Sequence, residues 1–138
     1  MGGFLGIRAG LFEAVALLCI MVAVATALIP ADFSLPLPML LGGVGLAAIL
    51  LSVPYVIIYF LTRHLKKTIM RLASLGLMLG ILGMWVWFWY STFINNPAPD
   101  AQNGLIFVVG PVYAIIASIL ISLVFRMTDN FKIEPRRK

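Results

Sequence analysis

Glu13 is the side chain in this sequence best placed to do chemistry. It is the ionisable residue set clearly inside an apolar run, in "AGLFEAVAL" (9–17), about a turn beyond Ala9. At 1.5 Å of rise per residue that puts it ~6 Å into the run. A carboxylate in hydrocarbon is costly, so an acid there marks a functional site or has a partner that satisfies it. Buried without a cation, such a group suits proton coupling. The competing reading is structural: at this shallow depth Glu13 reaches water or a basic residue among Arg8, Lys67 and Arg71. Counting residues from the polar ends puts Tyr59, Ser74 and Ser122 in the same half of the chain's thickness. The expectation is a small polar cluster of these four residues, with the Tyr59 hydroxyl donating to the Glu13 carboxylate.

The remaining reactive types form no pattern. His64 stands beside Arg63, Lys66 and Lys67, which suits a solvated flank better than a catalytic base. Asp32 and Asp100 are single carboxylates in separate loops, and Asp100 reads as a helix cap. Cys19 cannot pair within the chain and reads as a small packing residue. One histidine rules out a haem held by two histidines of this chain, and equally a multi-histidine metal centre. No phosphate loop, serine-nucleophile motif or dinucleotide loop is present. No catalytic residue, metal or cofactor is therefore expected. The sequence points away from an enzyme and leaves that question open.

The elements that must position these residues are plain from composition. The 138-residue chain is 62% hydrophobic and 11% charged, against roughly half and a quarter in a soluble domain. Its apolar residues fall in four runs, 9–29, 39–61, 72–94 and 104–125. Each is near the ~20 residues that cross a ~30 Å hydrocarbon core as a helix. The runs do not alternate apolar with polar, which argues against strands. Ala25-Thr26-Ala27 resembles a signal-peptide cleavage site, but Glu13 within the apolar stretch weighs against one. The reading is a single all-α domain of four transmembrane helices in a compact bundle, followed by a short basic tail (126–138).

Charge orients the bundle. With four crossings, Arg8, the turn "TRHLKKT" (62–68) with Arg71 just beyond it, and the tail bring all ten basic residues to one side. The positive-inside rule makes that side the cytoplasm, with both termini there. The net charge of +5 is thus a topology signal, and nucleic acid is not an expected partner. The bilayer is. A small, short-looped chain of this kind is expected in a plasma membrane, by default a bacterial inner membrane.

Helical periodicity separates two faces in the third run. Ala73, Gly76, Gly80 and Gly83 lie on one, and Trp85, Phe88 and Trp89 on roughly the opposite one. Small residues let helices approach closely in lipid, so Gly76, Gly80 and Gly83 are expected to pack, as are Gly110, Ala114 and Ser118 of the fourth run. The cluster "MWVWFWY" (84–90) reads as an interfacial belt, with Trp85, Trp89 and Tyr90 as anchors. Trp87 points toward the glycine side and is expected to pack within the bundle or on a partner. Pro54 and Pro111 fall inside helices and are expected to kink them.

Four short spans with Glu13 early in the first resemble the small multidrug resistance transporters, in architecture and in that acid alone. The resemblance implies an acid that binds proton and cationic substrate in a dimer. The chain departs from that family in lacking its tryptophan near Glu13 and in its one-sided charge. The first functional expectation is a non-enzymatic membrane subunit that serves as accessory, anchor or stabiliser of an assembly, with a membrane-protein partner or a homo-oligomer. The second is an oligomeric proton-coupled transporter of small molecules using Glu13.

Overall fold

The computed structural model describes residues 2–29, 31, 33–95 and 105–131, with the backbone alone for residues 2–9 and 106. Pro30, Asp32, residues 96–104 with Asp100, residues 132–138 and the side chain of Arg8 lie outside the described residues. Among the described residues the chain is helical: α1 (Gly2–Leu28), α2 (Leu37–Thr62), α3 (Thr68–Phe93) and α4 (Ile106–Asn130). Each contains a stretch long and apolar enough to cross a membrane. In hydrocarbon every backbone polar group needs an internal partner, and a helix provides one along its whole length.

At their charged ends the helices overrun the apolar runs. α3 begins at Thr68 rather than 72, and α4 continues to Asn130, so the first residues expected in the tail form a further helical turn. Hydropathy marks the apolar span, whereas hydrogen bonding carries the helix into its polar flank. The amides of Met70 and Arg71 both donate to the Lys67 carbonyl, at 3.1 and 3.2 Å. Pro38 sits in the first turn of α2, where a missing N–H costs nothing. Pro54 and Pro111 lie inside α2 and α4, fully buried, and both helices continue through them.

α2 packs chiefly against α4 and α1, and α1 also packs against α3. The order around the bundle is therefore α1, α2, α4, α3. Phe12, Ala16, Cys19 and Ala23 of α1 bury one stripe against Tyr55 and Ile58 of α2 and Met78 and Trp85 of α3. Small residues on α1 allow this approach. Outside the stripe, residues such as Leu17, Met21, Leu41, Ile49, Leu79 and Leu120 stand exposed, far more apolar surface than a water-soluble monomer shows. α3 and α4 touch each other sparsely, so the bundle is not uniformly compact.

At the charged end, Asp129 ties the bundle together. Its carboxylate accepts the amides of Lys66 and Lys67, both at 2.8 Å. Lys67 precedes α3 and makes no side-chain cap bond. An α-helix start leaves four amides without intrahelical acceptors, and Asp129 brings an anion to that positive end from another helix. Lys67 Nζ returns the contact, donating to the Thr128 carbonyl at 2.8 Å and the Phe131 carbonyl at 3.2 Å. Arg71 Nε donates to the Leu65 carbonyl at 2.7 Å and closes the turn from within. Asp129→Ala is expected to lower the thermal midpoint in detergent by several degrees, with faster amide exchange at residues 66–70. Asp129→Asn, which keeps one acceptor oxygen, is expected to fall between.

Candidate functional site

The structure places Glu13 against Tyr59, whose hydroxyl donates to Glu13 Oε1 at 3.0 Å. Tyr59 lies one turn from the end of α2, so the pair sits at the level where α2 gives way to the charged turn. The Tyr59 ring is flanked by Phe12, centroids 5.9 Å apart, and by Phe60 edge-on at 5.5 Å. Glu13 itself is exposed, on the outer side of the α1–α2 seam. A pocket of about 270 Å³ opens there, lined by Glu13, Leu17, Ile20, Tyr55, Val56 and Phe60 among others. The arrangement offers one carboxylate, the phenol of Tyr59 bound to it, and the aromatic side chains of Tyr55 and Phe60 to a small molecule or a proton.

Two other members of the expected cluster are elsewhere. Ser74 is fully buried and donates to the Met70 carbonyl at 2.8 Å. Ser122 is fully buried on α4, and its hydroxyl has no hydrogen-bond partner. α1 and α4 stand across the bundle from each other, with next to no direct contact. Equal depth therefore does not bring Ser122 to Glu13. Ser118 is also fully buried and donates to its own helix, to the Ala114 carbonyl at 2.6 Å. His64 is exposed, and its Nε2 accepts Arg63 Nε at 2.9 Å; the Arg63 guanidinium also lies over the Phe60 ring.

The aromatic cluster departs from the sequence reading. Trp85 is not an interfacial anchor: it is 8% exposed, and its Nε1 donates to Thr26 Oγ1 on α1 at 2.8 Å. Thr26 in turn donates to the Ala23 carbonyl at 2.6 Å, which orients its lone pair toward the indole. The Trp85 ring meets Phe107 edge-on at 5.4 Å. It also seats on Gly110, where a Cβ would lie 2.8 Å from the ring. Trp87 does not pack inside the bundle and is 69% exposed. Trp89 is half-buried beside Phe93, its Nε1 unpartnered, and Tyr90 is exposed. Periodicity identified both faces of α3 and chose the wrong one for the interior. An indole brings large contact area and finds its N–H acceptor in Thr26, whereas glycine has no side chain to bury.

The glycine stripe accordingly faces out. Gly76, Gly80 and Gly83 are exposed, with open space where a side chain would go, so none packs against another helix among the described residues. Gly110 is the glycine that a close approach requires. The same wedge leaves a cleft of about 740 Å³ between α3 and α4, floored by Leu51, Pro54 and Tyr55 of α2. Ala114 lines it, half-buried, rather than closing the α3–α4 seam. Tyr55, itself 1% exposed, lines both this cleft and the Glu13 pocket. Among the described residues no group of histidine, cysteine and acidic side chains could hold a metal ion. Thr26 and Asp129 escaped the sequence reading. The signals were Trp85's need for an acceptor and the start of α3 without a capping side chain of its own.

Comparison with known families, with characterised proteins and with solved structures finds no match to this chain.

Thr26→Val keeps the shape and removes the acceptor. It is expected to cost about 1 kcal/mol, within the range of buried polar contacts between membrane helices. A change in Trp85 emission would accompany that loss, measured by unfolding in mixed micelles. Gly110→Ala is expected to cost about 1–3 kcal/mol by the same measurement, because Trp85 must shift to admit the methyl group.

Proposed function

We propose that the protein is a non-enzymatic integral membrane subunit that associates through the outward face of α3, either with a second copy or with another membrane protein. The observation that carries this reading is the open stripe of Gly76, Gly80 and Gly83, continued by Trp87. Helical rotation of about 100° per residue puts all four within about 60° of arc, opposite the buried Ser74, Met78 and Trp85. Small residues in lipid-exposed helices favour close helix–helix contact, and Trp87 adds a large ring at one end of the groove. In this reading the chain lies in a plasma membrane, by default a bacterial inner membrane, with the charged end and both termini cytoplasmic.

Glu13 supports a second reading, a proton-coupled transporter of small molecules. The specific observation is an acid hydrogen-bonded to Tyr59 at the mouth of a pocket within a candidate span. Here Glu13 takes and releases the proton, and Tyr59 positions its carboxylate.

Gly80→Leu separates folding from association. Among the described residues nothing opposes a side chain at Gly80, so the isolated chain is expected to keep its stability or gain up to about 1 kcal/mol of helix propensity. Native mass after gentle extraction is expected to fall from an assembly to a single chain. An unchanged assembly in Gly80→Leu and Gly76→Leu would reject the α3 interface. For the second reading, proton flux into liposomes is expected to vanish in Glu13→Gln at unchanged folding, and unaltered flux in that variant would reject it.

A further inference from the structure

We propose that the cleft between α3 and α4 holds a hydrocarbon chain of a membrane lipid, taken from the leaflet remote from Asp129. The cleft is built rather than left over. Trp85, fixed by Thr26 and seated on Gly110, stands between the two helices and keeps them apart. Met84, Phe88, Val109 and Tyr113 line it and are exposed, so it opens sideways into the surroundings of the bundle. Its lining carries no charged side chain. Its polar side-chain atoms are the indole N–H of Trp85, already engaged by Thr26, and the hydroxyls of Tyr55 and Tyr113. A headgroup, a peptide backbone or water finds little to bond inside, so an aliphatic chain fits these walls best.

Length selects a chain over a partner helix. The lining on α4 runs from Leu105 to Ala117, which is about 18 Å at 1.5 Å per residue. That is close to one leaflet, half of a ~30 Å hydrocarbon core. Beyond Ala117 the interior closes: Ser118 and Ser122 of α4 and Ser74 and Met78 of α3 are fully buried. Asp129 then ties the end of α4 to the start of α3. A spanning helix would find a groove along only part of its length, whereas an acyl chain of one leaflet ends where the groove ends. The cleft face of α3 is also distinct from the glycine face, about 120° away around the helix axis. The inference therefore stands apart from the proposed association.

The test uses the full chain in bilayers of phosphatidylcholine carrying bromine at mid-chain, a quencher of indole emission. With Trp87→Phe and Trp89→Phe in place, Trp85 is the remaining tryptophan. Its emission is expected to fall roughly by half relative to unbrominated lipid, although the ring is buried. Ala114→Phe or Ala117→Phe, each filling the cleft, is expected to remove most of that quenching while helicity and thermal midpoint stay unchanged. Exchange of the headgroup for phosphatidylglycerol is expected to leave it unaltered. Native mass spectrometry of the otherwise unchanged chain, expected to show a retained lipid that Ala117→Phe releases, gives a readout without the tryptophan substitutions. Unquenched Trp85, or quenching and lipid retention equal in the filled variants, would overturn the proposal.

Discussion

An indole N–H buried among apolar side chains is costly to leave without an acceptor, and the arrangement of α3 follows from how Trp85 finds one. By donating to Thr26 it fixes which side of α3 faces α1. By seating on Gly110 it sets how near α4 can come. The rotation that satisfies Trp85 turns Gly76, Gly80 and Gly83 away from the bundle and carries Trp87 outward with them. One polar atom thus determines an interior contact, a lateral opening and an exposed helix face. These belong to one geometry, so a change at Thr26 reaches all three.

Asp129 acts at the opposite end by a different principle. Helices long and apolar enough to span a membrane would hold their order weakly in lipid, because contact with a neighbouring helix gains little over contact with lipid tails. A carboxylate that caps another helix replaces that weak preference with directional bonds. Its partners are backbone amides, whose positions are fixed by the helix they begin. The charged end is therefore pinned, and the far end can part around Trp85. The closed and open ends of the bundle reflect this difference in how each is held.

Much of the architecture was legible because span length is a local property of a sequence. Helix rise is fixed, so counting residues from the polar ends also gave the relative depth of Glu13 and Tyr59. Depth says nothing of azimuth, however. Ser74 and Ser122 share that half of the bundle and still lie away from Glu13, since α4 stands across from α1. The face of α3 was ambiguous in the same way. Glycines and indoles on opposite sides both have good reasons to be buried, and the choice rested on a threonine 59 residues away. Asp129 looked like one charge in a polar tail because the amides it meets are 62 and 63 residues distant.

Tyr55 has a consequence of its own. The ring is a partition between two chambers, one opening on the α1–α2 side at Glu13 and the other between α3 and α4. A partition that leans one way enlarges the opposite chamber. Were the proposed acyl chain and a ligand of Glu13 both to press on that ring, the two occupancies would be linked, each altering the affinity for the other by the same factor. A bilayer with thicker or stiffer chains would then act on whatever Glu13 binds, through a single buried side chain.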